Sequence, residues 1–228
     1  QLRYIARDLR IIQALQKQEG AAELTQRQQQ YLETIRTIYA QQHQMHQDRS
    51  HRIQDRIVSL HQPHVRPIVR GKARDFVEFG AKLEISVVDG YGYLEKLSWD
   101  AYNEGNELIG AIERYRKDHG CYPEAVLADR IYRNRTNLAY CKENGIRLSG
   151  PRLGRPPKLE GDAGRIARQD NRERNAVEGK FGEGKRRYGM GRIMARLPET
   201  SGSVIAMQLL VMNLEKILRD LFGSIWDR

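Results

Sequence analysis

Leu2, Ile5, Leu9, Ile12 and Leu15 advance by three or four positions, the spacing of one apolar helix face, and predict a first helix over residues 1–18. Gly20 breaks the pattern. Thr25 supplies a capping oxygen for a second helix, whose apolar stripe is Leu32, Ile35, Ile38 and Tyr39. Stripe against stripe, the two form an expected helical hairpin over residues 1–50, with a glutamine-rich remainder turned to water. Pro63 and Pro67 then mark an extended link, assigned to residues 51–80.

The period changes from about 3.6 to 2 at residue 81. Leu83, Ile85 and Val87 alternate with Lys82, Glu84 and Ser86, and Asp89-Gly90 is a favoured hairpin turn into a second strand carrying Tyr91, Tyr93 and Leu97. A helix with Leu108, Ile112 and Tyr115 on one face follows and ends near Gly120. Next come a short apolar strand ending at Asp129, a helix through Leu138 and Cys141, and a strand beginning at Ile146. Strand and helix alternate, so residues 81–228 read as a mixed α/β domain. Residues 149–170 are rich in Gly and Pro and carry Arg152, Arg155, Lys158, Arg165 and Arg168, which predicts a basic loop. A closing helix, about 203–221, has Val204, Met207, Val211, Leu214 and Leu218 on one face and is expected to pack on the sheet.

Composition narrows the partners. With 39 Lys and Arg against 29 Asp and Glu, a net charge of +10 favours a polyanion, while 39% hydrophobic residues allow a real core. Cys121 and Cys141 have no metal-ligand spacing and read as reduced thiols. His43, His46 and His51, like His61 and His64, lack the carboxylate or thiol partners of a zinc site. No stretch reads as about 20 uninterrupted apolar residues, so no membrane partner is expected.

One run carries candidate chemistry: Asn171-x2-Arg174-x3-Glu178-x6-Lys185. At about 100° per residue, setting Arg174 at zero puts Lys185 near 20°, Glu178 near 40° and Asn171 near 60°. All four share a narrow face. A carboxylate between two cations suits a metal ion flanked by phosphates, whereas the plainer alternative is a solvated Arg174–Glu178 ion pair at i,i+4. Asp129, at the end of an apolar strand, stands where α/β proteins place ligand-binding groups, and also where a helix cap or turn residue is common.

LADRIYRNRTN and RERNAVEGKFGEGKRRYG, preceded by DRIVSLHQPHVRPIVRGKARDFVEFGAKLEIS, together resemble the C-terminal part of a bacterial insertion-sequence transposase of the DDE superfamily over roughly residues 50–220. The resemblance implies an RNase H-like mixed sheet with flanking helices, preceded here by the helical hairpin. It implies Asp129 and Glu178 as catalytic and metal-binding carboxylates for Mg²⁺ or Mn²⁺, with Asn171, Arg174 and Lys185 contacting DNA. The family signature is Tyr-x2-Arg-x3-Glu-x6-Lys, and Asn171 stands where the tyrosine is usual.

A first catalytic aspartate is also implied, on a strand ahead of the hairpin at 81–99. Asp55 is the nearest candidate but reads better as a surface or capping residue, and Asp89 as a turn residue. We therefore expect that strand to precede residue 1, and this chain alone to bind DNA and cleave it little. For a whole enzyme, hydrolysis at transposon ends followed by strand transfer is implied. The implied partners are double-stranded DNA and a second copy of the chain, in a cytoplasmic, nucleoid-associated setting. A DNA-binding remnant without catalysis is the competing expectation.

Overall fold

The computed structural model describes residues 1–69, 77–150 and 161–226. The chain divides into two compact units, Gln1–Lys82 with Arg196–Pro198, and Leu83–Ala195 with Glu199–Arg228.

The first unit holds α1 (Leu2–Gln16), α2 (Gln26–Gln47), β1 (Pro67–Val69) and β2 (Val77–Phe79). Thr25 caps α2 through a reciprocal box with Gln28: each side chain accepts from the other residue's backbone N–H, at 3.4 and 2.9 Å. The segment after α2 is tied back by Gln41, which donates to the Asp55 carbonyl at 3.1 Å and accepts from Ile57 N–H at 2.9 Å. Among the described residues, Leu32, Met45, Val65 and Ile68 are its buried apolar side chains. The stretch expected to be extended throughout contains an antiparallel pair, Pro67 opposite Phe79 and Val69 opposite Val77. Asp55 has φ 52°, a left-handed turn conformation that short polar side chains tolerate.

The second unit contains β3 (Lys82–Val88), β4 (Tyr91–Ser98), α3 (Leu108–His119), β5 (Ala125–Leu127), α4 (Arg135–Glu143), β6 (Arg147–Ser149), α5 (Gly161–Arg187) and α6 (Pro198–Trp226). Asp89 and Gly90, at φ 52° and 81°, make the tight turn between β3 and β4. β5 and β6 pair in parallel, Ala125 beside Arg147 and Leu127 beside Ser149, joined by α4. Two cores result. Leu108, Ile112, Cys141 and Ile146 close α3 and α4 over the parallel pair, and Ile85, Leu209 and Met212 close α6 over the hairpin together with Leu94, Val177 and Phe181.

The architecture is mixed α/β, but the described strands form three separate two-stranded sheets, not one. Among the described residues, no strand joins the β3–β4 pair to the β5–β6 pair. Two further expectations change. Residues 161–170, read as the end of a basic loop, are the opening turns of α5, where Arg165 pairs with Asp162 at 2.8 Å and Ala163, Ile166 and Ala167 do not oppose a helix. Ser149, at the start of the expected loop, instead ends β6, and residues 151–160, with Arg152, Arg155 and Lys158, lie outside the described residues.

The closing helix is also longer than its apolar stripe suggested. Residues Pro198–Gly223 of α6 are long and apolar enough, by length and composition, to cross a membrane, and 22% of an 18-residue apolar segment within them is buried. Scattered polar residues hid this when only uninterrupted apolar runs were considered. One face of α6 is nonetheless docked in the protein: Asn213 accepts from Gly92 N–H at 2.9 Å and donates to the Gly92 carbonyl at 2.8 Å, and Met212 and Ser201 are fully enclosed.

Candidate functional site

The site forms where α5 passes the ends of β5 and β6. Arg147 and Ser149 alternate along β6, so their side chains leave on the same side. Both reach Asp170 of α5: Arg147 donates to both carboxylate oxygens, the longer bond at 3.2 Å, and Ser149 Oγ donates at 2.5 Å. Asp170 is buried. Burial by itself raises its pKa, but the bonds from Arg147 and Ser149 outweigh it and leave the carboxyl below its ordinary value. An ionised Asp170 therefore pins α5 to β6.

One turn later, Arg174 is brought to Asp129. Its Nε lies 3.5 Å from Asp129 Oδ1, and its guanidinium also donates to Asn171 Oδ1 at 2.8 Å. The contact is asymmetric: Arg174 is 22% exposed and Asp129 72%. Asp129 has the extended backbone of a cap residue before the short 3₁₀ turn Arg130–Tyr132, yet its side chain caps nothing. That removes the simplest structural explanation for an Asp at this strand end.

Glu178 and Lys185 continue the stripe as exposed side chains. The i,i+4 pair that would have made Glu178 a mere surface partner does not form, because Arg174 turns to Asp129 and Asn171 instead. Alongside the stripe runs the packed face of α5, with Asp170, Val177, Phe181 and Gly184. A Cβ on Gly184 would lie 2.3 Å from Met190 Sδ, so the glycine lets the chain after α5 fold back closely. Burial on one face thus fixes the rotation of the helix, and with it the direction of the stripe.

The Asp129 turn is held from behind. Ala128 N–H donates to the Ser149 carbonyl at 3.0 Å, and Gly150, at φ 151°, comes so near Ala128 that a Cβ there would lie 2.1 Å from the Ala128 oxygen. Asn137, fully enclosed, donates to the carbonyls of Tyr132 and Gly105 at 2.8 and 2.7 Å. Tyr132 donates to Glu84 of β3 at 3.1 Å. Burial foremost, then the charges of Glu107, Glu104 and Glu95, push the Glu84 carboxyl above its ordinary value against the lowering effect of the Tyr132 bond. Its other oxygen, Oε2, is buried without a hydrogen bond.

The structure thus brings Asn171, Arg174 and Asp129 together and leaves Glu178 and Lys185 open on the same helix. Asp170, Arg147 and Ser149 escaped sequence reasoning; the available signal was the i,i+2 spacing on a strand and an acid one turn ahead of Arg174. Among the described residues, no three His, Cys, Asp or Glu side chains group as a metal site. Residues 126–215 match a family model described as transposase DDE domain. No curated protein and no solved structure matches the chain.

Proposed function

We propose, from a chain whose residues 126–215 form the C-terminal part of a transposase DDE domain, that the α5 stripe and Asp129 are the metal- and DNA-facing side of that domain, acting in DNA cleavage and strand transfer. In this reading β5, α4, β6 and α5 are the later part of an RNase H-like domain. The observation that carries it is the Arg174–Asp129 contact, which joins two motifs 45 residues apart and leaves Glu178 without an ion pair among the described residues.

The donor chemistry fits a divalent cation. Asp129 and Glu178 are hard oxygen donors, and Mg²⁺ commonly takes one or two carboxylates from protein, the rest being water and substrate phosphate oxygens. Held there, Mg²⁺ or Mn²⁺ would supply Lewis acidity, polarising a phosphoryl oxygen and stabilising the leaving oxygen. Arg174 and Lys185 bind phosphate oxygens on either side of Glu178, and Asn171 holds the Arg174 guanidinium in place. In hydrolysis a water oxygen bonds to phosphorus as the bond to the 3′ oxygen breaks, leaving a 3′-hydroxyl. In strand transfer that hydroxyl's oxygen bonds to a target phosphorus as the target's own bond from phosphorus to the 3′ oxygen breaks, freeing a target 3′-hydroxyl, so no covalent protein intermediate is needed.

The second reading is DNA binding without catalysis, and one observation favours it: among the described residues no three His, Cys, Asp or Glu side chains group as a metal site. Mn²⁺ binding, followed by the loss of the free-ion spin resonance signal, tests the shared premise. Binding should disappear in Asp129→Asn and in Glu178→Gln, and its persistence in both overturns the site. DNA affinity against salt tests the stripe: Arg174→Ala and Lys185→Ala should each reduce the log–log slope by about one. Mg²⁺-dependent nicking that Glu178→Gln abolishes selects catalysis, and binding without nicking selects the remnant.

A further inference from the structure

The helical hairpin of the first unit holds a groove of about 500 Å³ between α1 and α2. Ala6, Leu9, Arg10 and Gln13 line it from α1, and Arg36 and Tyr39 from α2. Positions 6, 9, 10 and 13 share a helix face at i, i+3, i+4 and i+7, and 36 and 39 at i and i+3. The small Ala6 leaves open a space that a longer side chain would fill.

Both walls are cationic. Arg10 and Arg36 supply guanidinium groups, Gln13 an amide and Tyr39 a phenol, and no carboxylate is among the lining side chains. The acid of α1, Asp8, is paired with Arg7 at 2.8 Å and lies about 160° round the helix from Arg10. Glu33 of α2 does not line the groove either. Arg10 is steadied by its own helix, its Nε donating to the Ala6 carbonyl at 3.3 Å, a bond that does not engage its two terminal nitrogens. Tyr39 is flanked by the His43 ring, with centroids 5.7 Å apart. Arg3 and Lys17, seven residues to either side of Arg10, fall within about 20° of it and extend the cationic edge along α1.

We infer that the α1–α2 groove is a phosphate-binding site separate from the α5 stripe. Two like charges lining one groove repel each other, and an oxyanion between them turns that repulsion into two attractions. The guanidinium forks match pairs of phosphate oxygens, and the Gln13 amide and Tyr39 hydroxyl can donate to others. A phosphate group reaches such a site on a small free molecule or on a nucleic-acid backbone, and the recognition chemistry is the same for both. The inference uses no residue of α5, so its failure leaves the reading of Asp129 and Glu178 standing, and Mn²⁺ binding reports on that reading separately.

The probe is pyrophosphate, titrated calorimetrically into the full chain carrying Arg174→Ala and Lys185→Ala, which keeps the α5 stripe from contributing. Adding Arg10→Ala and Arg36→Ala should weaken binding at least about tenfold, because the charge-assisted contacts of both walls are lost. Arg7→Ala with Arg27→Ala, an equal loss of charge on the same hairpin outside the groove, should change it by no more than about twofold. Both groove arginines are exposed, so the far-UV circular dichroism should not change. Should that variant unfold, Arg36→Glu, which sets a carboxylate opposite Arg10, should abolish binding with the spectrum intact. The salt dependence of duplex DNA binding identifies the source of the phosphate. A log–log slope reduced by about two in Arg10→Ala, Arg36→Ala points to backbone phosphates, and an unchanged slope to a free phosphate compound. Pyrophosphate binding that survives the loss of both arginines, or that the charge-matched control weakens equally, overturns the inference.

Discussion

Asp170→Asn removes one negative charge from the joint between α5 and β6 and keeps the side chain's shape. The wild-type carboxylate is 10% exposed and accepts three hydrogen bonds, two from Arg147 and one from Ser149. A bond to a charged group contributes about 1.5–3 kcal/mol, and breaking a fully buried ion pair costs about 3–5. Arg147 is 46% exposed and regains water when its partner is neutral, so the lower range applies. About 2 kcal/mol is expected, or a melting temperature lower by roughly 4–8 °C for a chain of this size.

Its pH dependence has a definite sign. The folded pKa lies below the unfolded value of about 3.9, so the stabilisation is full above that value and is lost as pH falls through the folded one. Thermal melts by circular dichroism at pH 7 and near pH 2.5 should therefore show the wild-type advantage shrinking in acid. Equal melting temperatures at pH 7, or a gap undiminished in acid, would refute the assignment of Asp170 as a charged anchor. The same variant should weaken Mn²⁺ binding, because Arg174 and Asp129 are aligned only while α5 holds its rotation.

Gly150→Ala should cost about 2 kcal/mol or more, since φ 151° and the Ala128 oxygen leave no room for a Cβ; the denaturant midpoint measures it, and an unchanged midpoint would show that β6 can move freely from the Asp129 turn. Glu84→Gln should stabilise at neutral pH. Burial raises the Glu84 carboxyl pKa, so its favourable contribution is complete below the unfolded value of about 4.3 and is lost as pH rises through the raised folded one. The neutral amide escapes that loss, and its melting-temperature gain at pH 7–8 should vanish near pH 4. A gain that persists in acid would instead reflect packing.

Local rules carried much of the secondary structure. The Thr25 cap, the Asp89-Gly90 turn, the Gly120 helix end and the β5–α4–β6 alternation follow from side-chain periodicity and turn chemistry, which act over a few residues. The helical stripe of Asn171, Arg174, Glu178 and Lys185 was legible for the same reason, and the motif around it carried the family resemblance. Less legible were the start of α5 at Gly161, masked by Gly- and Pro-rich neighbours, and the length of α6, whose apolar residues are broken up by polar ones serving its docked face.

Sequence spacing could place Arg174 and Glu178 one turn apart on a helix; it could not choose the partner of the arginine. That choice belongs to packing. Val177, Phe181 and Gly184 set the rotation of α5, Asp170 pins it to Arg147 and Ser149, and Arg174 is thereby turned toward Asp129, leaving Glu178 open. The two apolar faces of α6 divide in the same way: periodicity creates both, and only the burial of Ile205, Leu209 and Met212 reveals which one the chain uses for itself. Helical repeat is a property of neighbouring residues, whereas the pairing of charges and the use of a face depend on segments tens of residues away meeting in space.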